Sequence, residues 1–135
     1  MRIIFTVITL VVLSSALIAQ HDSSNEKNQL VTWDVKMIDL GKVKKGEVKE
    51  TSFQFTNTGN EPIEIELISA CDCTTTDYPR LPVKPGETGT IDVVFNSTEK
   101  EESETIDIDI FLKNVDPETQ TPVIEMVQYK YELIK

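Results

Sequence analysis

Beyond residue 30 the apolar side chains recur at every second position, a period that suits an extended chain with one dry and one wetted face. Phe53 and Phe55 alternate with polar neighbours. So do Ile63, Ile65 and Leu67, then Ile91, Val93 and Phe95, then Ile106, Ile108, Ile110 and Leu112. The last run, Val123 to Leu133, sets Val127, Tyr129, Tyr131 and Leu133 on one side, with Glu125, Gln128, Lys130 and Glu132 mostly on the other. It predicts a long closing strand. No stretch of this region shows a capped apolar stripe at helical spacing, and β-branched residues dominate the runs.

Turn chemistry separates the runs: Lys45-Gly46, Asn57-Thr58-Gly59-Asn60, Lys84-Pro85-Gly86-Glu87 and Asp116-Pro117-Glu118. Pro85 presets a negative φ and Gly86 supplies the positive φ after it, which predicts a type II turn. A chain of 135 residues fits one domain. About seven short strands in roughly 100 residues predict an immunoglobulin-like antiparallel β-sandwich over residues 31–135. The antibody-type inter-sheet disulfide is not expected, because Trp33 precedes both cysteines and Cys71 and Cys73 are too close in sequence to join two sheets.

The first residues read differently. Met1-Arg2 gives a short positive start, Ile3 to Leu13 is apolar apart from Thr6 and Thr9, and Ser14 to Ala19 brings small residues. This is the pattern of a signal peptide over residues 1–19, cut after Ala19 with Ala16 as the alternative site. A retained anchor is the competing reading, but the run is only about 17 residues, the lower limit for a span. No cysteine follows it, so a lipoprotein anchor is not supported. Residues 20–30 are polar and aperiodic, a disordered leader. The expected location is the periplasm or the medium, without stable membrane insertion after cleavage.

The formal net charge is -10, and loss of Arg2 with the signal would leave 12 basic residues against 23 acidic ones. Such a surface repels phosphate backbones and anionic lipid heads, which argues against nucleic acid and membrane-surface partners.

Five segments occur in a telling order: Asp39-Leu40-Gly41-Lys42-Val43, Phe53-Gln54-Phe55-Thr56-Asn57-Thr58-Gly59, Pro62-Ile63, Cys71-Asp72-Cys73-Thr74, and Pro82-Val83-Lys84-Pro85-Gly86-Glu87. Together they resemble the bacterial exported domain-of-unknown-function family fifteen-seventy-three, which is similar to Hydin-type (ASH) and major-sperm-protein immunoglobulin-like domains. The resemblance covers roughly residues 33 to 113 and implies fold and export, with no assigned activity. Where that family has glycine between its two cysteines, this chain has Asp72, a residue that tolerates a positive φ at modest cost. Beyond residue 96 the resemblance thins, because Asn96 to Glu102 lacks the expected glycine.

Cys71 and Cys73 are the only cysteines, so any internal pairing joins them to each other. Residues two apart on a straight strand lie about 6.6 Å apart at Cα, at the upper limit of disulfide geometry. A bridge therefore needs a bend or bulge at Asp72 and would be comparatively reducible. Three readings stay open: a local disulfide, free or intermolecular thiols, and a metal or redox role. Two thiolates suit copper(I), whereas a closed zinc site needs four ligands, with Asp72 and Asp77 the only nearby helpers and Met37 and Met126 distant in sequence. His21 would stand second in a chain cut after Ala19, where amine and imidazole together bind copper(II).

With no other histidine in the sequence, Ser-His-Asp and Cys-His catalysis are excluded from the domain. Asp107 and Asp109 share a strand face, but their alternation with isoleucines reads as a solvated face. Glu99 to Glu104 reads as a wet hairpin loop. These features predict a non-enzymatic binding or structural module of the cell envelope that holds a protein or glycan partner. Sheet edges and the loop from Cys71 to Pro82 would make the contact, with Asp72, Thr74, Tyr78 and Arg80 as its binding residues. The alternative is a thiol-based copper carrier or redox partner built on Cys71 and Cys73.

Overall fold

The alternating runs become strands because each apolar set finds a facing set across the core. The computed structural model describes residues 29–135; the expected signal peptide, its cleavage site, most of the leader and His21 lie outside them. Eight strands follow in order: β1 (Val31–Trp33), β2 (Met37–Lys44), β3 (Val48–Asn57), β4 (Ile65–Ser69), β5 (Thr74–Asp77), β6 (Thr88–Asn96), β7 (Glu104–Val115) and β8 (Pro122–Ile134). They form two four-stranded sheets, β1-β3-β6-β5 and β2-β8-β7-β4. There is no helix among the described residues. The architecture is a β-sandwich of the immunoglobulin-like kind.

Two details depart from the sequence expectation. The strands number eight, because β1 and β5 are too short, at 3 and 4 residues, to show an alternation. The pairing is also not wholly antiparallel: β2 runs parallel to β8, with Ile38 opposite Tyr129 and Val43 opposite Leu133. The first strands make this possible by changing sheets. β1 pairs with β3 in one sheet, and after Asp34 to Lys36 the chain joins the edge of the other. Ahead of β1, Leu30 packs against the core and its carbonyl accepts from Thr58 N–H at 2.9 Å.

The core is filled by the predicted faces. Phe53, Phe55, Ile91, Val93 and Phe95 from one sheet meet Ile106, Ile108, Ile110, Leu112, Val127, Tyr129 and Tyr131 from the other. Phe95 lies between the two tyrosines, its ring centroid 5.3 Å from that of Tyr129 and 4.5 Å from that of Tyr131. Trp33 stacks obliquely on Phe55 and its Nε1 donates to Glu125 on β8 at 3.2 Å. Leu67 is the exception among the alternating residues. A register shift between Ile65 and Leu67 turns it outward, 45% exposed, while Ile65 and Ile68 pack on the core.

The Lys84–Glu87 turn has the expected form: Gly86 has φ of 81° and Glu87 N–H donates to Lys84 carbonyl at 2.9 Å. It docks on Asn57, whose carbonyl accepts from Gly86 N–H at 2.8 Å.

Candidate functional site

After β4 the chain makes a tight turn before entering β5. Thr74 N–H donates to the carbonyl of Cys71 at 2.9 Å, closing Cys71-Asp72-Cys73-Thr74. The turn draws the Cα atoms of Cys71 and Cys73 to 5.2 Å and puts their sulfurs in disulfide contact. Both cysteines are half-buried and Asp72 is exposed at the tip. The backbone does not use a positive φ there: Gln120 is the only non-glycine residue with one among the described residues. The anticipated conformational cost of Asp72 in place of glycine is therefore absent.

Hydroxyl groups lie directly beneath the sulfurs. Thr74 Oγ1 is 3.3 Å from Cys71 Sγ and 3.5 Å from Cys73 Sγ. It is also 2.6 Å from the phenolic oxygen of Tyr129, which reaches across the core from β8 and stands 3.8 Å from Cys73 Sγ. Burial pushes the Tyr129 phenol above its ordinary range, the hydrogen bond with Thr74 opposes this, and the charge of Glu104 adds to it. The phenol is thus held neutral. Thr74, expected to face a partner, instead faces inward.

Above the sulfurs lies a shallow depression lined by Cys71, Asp72, Cys73, Asn96, Thr98, Glu99 and Lys100. Its rim is the β6–β7 connection, expected to be a wet hairpin loop; it is instead a crossover, because β6 and β7 belong to different sheets. Lys100 pairs with Glu104, whose carboxylate also accepts from Tyr131 hydroxyl at 2.9 Å. The Lys100 bond, then the Tyr131 bond, hold Glu104 below the usual carboxylate range.

The remaining site residues gather at the other end of β5, roughly 13 Å along a four-residue strand. Arg80 lies over the ring of Tyr78, its guanidinium carbon 3.9 Å from the centroid. Next to it Leu81 is 80% exposed, a feature the sequence reading missed because Leu81 belongs to no alternating run. β5 itself is an edge strand, paired only with β6. The bond from Asn96 N–H to Cys73 carbonyl fixes the ladder, so the N–H and carbonyl of Thr76 point to the free side.

Asp77 sits opposite Asp92 at the far end of β5 and does not join Asp72 beside the sulfurs. No group of three or more His, Cys, Asp or Glu is arranged to hold a metal among the described residues. Met37 and Met126 lie exposed on the other sheet. Asp107 accepts from Gln128 Nε2 at 2.6 Å on the outer face of β7, as a solvated face would have it.

The family model described as protein of unknown function (DUF1573) matches residues 31–126. No curated protein matches the sequence. Among solved structures, a protein of unknown function from Porphyromonas gingivalis W83 superposes with a TM-score of 0.63 at 19% identity, over 84% of this chain and 51% of that one. The ASH / PapD-like domain of human CEP192 (PapD-like domain 7) gives a TM-score of 0.64 at 10% identity, over 97% of both chains. The Vibrio cholerae VesB protease gives 0.62 at 10% identity, over 77% of this chain and 32% of that one. The chain thus spans about half of the Porphyromonas protein and about a third of the protease. At these identities the likeness is one of fold.

Proposed function

Because this chain belongs to the DUF1573 family of proteins of unknown function, we propose, from its own surface, that it is an exported, non-enzymatic binding module of the cell envelope. Its ligand is a protein that adds a strand to the free edge of β5. The observation that carries this reading is the composition of that edge. Thr76 offers an unpaired backbone N–H and carbonyl, and Leu81 and the Arg80–Tyr78 stack follow directly in sequence. Backbone pairing supplies affinity in such an arrangement, and adjacent aromatic, arginine and apolar side chains supply selectivity. Export rests on the charge, apolar run and small residues of positions 1–19. The non-enzymatic reading rests on a domain whose described residues include no histidine to act as a base.

The test is capture from envelope extracts with the purified domain as bait. Thr76→Pro removes the outward N–H and leaves the β6 ladder intact, since proline is tolerated at such edge positions. Thr76→Pro and Leu81→Asp are expected to lose a partner that the native domain and Asp107→Asn both retain. Equal capture by all four would overturn the edge as the binding surface.

A further inference from the structure

A disulfide stabilises a fold chiefly by shortening the loops of the unfolded chain, and its effect grows with the loop it closes. Cys71 and Cys73 are separated by one residue and lie in the single turn by which the chain passes from β4 in one sheet to β5 in the other. As a staple the pair is weak beside one that closes a long loop. Its surroundings are, however, arranged for chemistry. The sulfurs border an open depression on one side, and on the other they rest on the linked hydroxyls of Thr74 and Tyr129. Of the two sulfurs, that of Cys73 has both hydroxyls beside it, at 3.5 Å and 3.8 Å. While the two hydroxyls stay linked, one O–H proton remains for sulfur; a thiolate at Cys73 can receive it from either Tyr129 or Thr74, whereas a thiolate at Cys71 has Thr74 alone.

We propose that Cys71–Cys73 is a thiol–disulfide exchange site that accepts two electrons from a protein dithiol. A thiolate of the donor attacks Cys71 Sγ from the depression. A donor–Cys71 disulfide forms, the Cys71–Cys73 bond breaks, and its electron pair passes to Cys73 Sγ, stabilised by Thr74 and Tyr129 and then protonated from solvent. The donor's second thiol, having released its proton to solvent, attacks its own sulfur in the mixed disulfide and expels Cys71, which is protonated in turn. The donor leaves as a disulfide, and this chain holds two thiols. Leaving-group stabilisation accelerates such exchange, because a sulfur that carries negative charge more easily departs faster. The depression carries Asp72 and Glu99, with its one cation, Lys100, committed to Glu104, and so favours a donor with a basic face around its dithiol. This proposal is independent of strand addition at β5: Thr76→Pro leaves the sulfurs and both hydroxyls in place.

The experiment is stopped-flow reduction of the folded domain by dithiothreitol, with intact mass reporting the loss and gain of two hydrogens and circular dichroism reporting the fold. The native protein is expected to be reduced without unfolding. Tyr129→Phe and Thr74→Val, both near-isosteric, are expected to slow the reaction about tenfold each through loss of hydrogen bonds to the leaving sulfur. Cys73→Ser incubated with oxidised glutathione should trap the adduct on Cys71. Reduction that waits for unfolding, or a rate unmoved in both hydroxyl variants, would overturn the proposal. So would recovery of both thiols free after exposure to excess oxidised glutathione.

Discussion

The phenolic oxygen of Tyr129 lies 2.6 Å from the hydroxyl of Thr74, joining the middle of β8 to the first residue of β5 across the sandwich. Tyr129 is fully buried, so this is a polar link made inside a core otherwise built of aliphatic and aromatic groups. Tyr129→Phe keeps the ring against Phe95 and removes the bond, at an expected cost of about 1 kcal/mol. A double-mutant cycle with Thr74→Val, read by urea unfolding, should show that the two losses are not additive. Additive losses would mean that the two hydroxyls do not interact.

Asn57 is the second buried polar group with a structural task. Its Nδ2 donates to the carbonyls of Glu61 at 2.7 Å and Val83 at 2.9 Å, and its Oδ1 accepts from Gly59 N–H at 3.0 Å. Asn57→Ala leaves these loop groups without partners and should cost about 2–4 kcal/mol. In a domain of this size that corresponds to a fall in Tm of at least about 8 °C, measurable by calorimetry. A change within error would show that water or neighbouring groups replace the side chain.

Gly89 lies against Phe55, opposite it in the β3–β6 ladder. A Cβ at Gly89 would come within 2.4 Å of the end of the Phe55 ring. Gly89→Ala should therefore cost about 1–3 kcal/mol by overpacking, and Phe55→Leu should recover part of it by withdrawing the ring. The check is the coupling energy of Gly89→Ala with Phe55→Leu: a value near zero would place the strain elsewhere.

The alternating faces of β3, β6, β7 and β8 were legible because period-two burial is written directly in the sequence, and Gly86 announced its turn by demanding a positive φ. Leu67 was misplaced because a register shift leaves no mark in composition. The parallel pairing of β2 with β8 depends on where the chain goes after Trp33, which local pattern does not encode. The site was half legible. Cys71, Cys73, Tyr78 and Arg80 stand out by residue type. Tyr129 read as a core residue because its alternation with polar neighbours says nothing of where its hydroxyl ends. Thr74 looked like a surface residue for the same reason, since its partner is 55 positions away in sequence.

Removing both sulfurs should test the weak mechanical role of the Cys71–Cys73 link. Closing so short a loop restricts the unfolded chain by only about 1.6 kcal/mol in the chain-entropy model, against about 4.7 kcal/mol for a loop of about 100 residues. Cys71→Ser/Cys73→Ser should accordingly remain folded, with a urea midpoint lower by about 0.5–1.5 M and the same dependence on denaturant. Loss of cooperative unfolding in this variant would show that the turn organises β5.

The pair Tyr131 and Glu104 sets the direction of the pH dependence. Burial, and then the bond to Glu104, push the Tyr131 phenol above its ordinary 10.0, and Tyr129 moves the same way for reasons of burial first. A phenol whose folded value is raised stabilises the fold fully below the unfolded value and loses that contribution as pH rises beyond it. Glu104 has the opposite sense. The Lys100 and Tyr131 bonds hold it below 4.5, so its contribution is present above that value and fades as pH falls. Because Glu104 is partly open to solvent, the acid limb should be shallow and weakened by salt. The alkaline limb should be the steeper, beginning near the ordinary tyrosine value. Lysine deprotonation contributes to that limb in every variant, so the informative quantity is a difference. Urea midpoints measured from acid to strongly alkaline pH should fall less steeply above pH 10 in Tyr131→Phe than in the native protein. The same substitution should raise the Glu104 value, visible as an acid limb shifted upward in pH. Identical alkaline limbs in native protein, Tyr131→Phe and Tyr129→Phe would show that the buried phenols do not govern this unfolding.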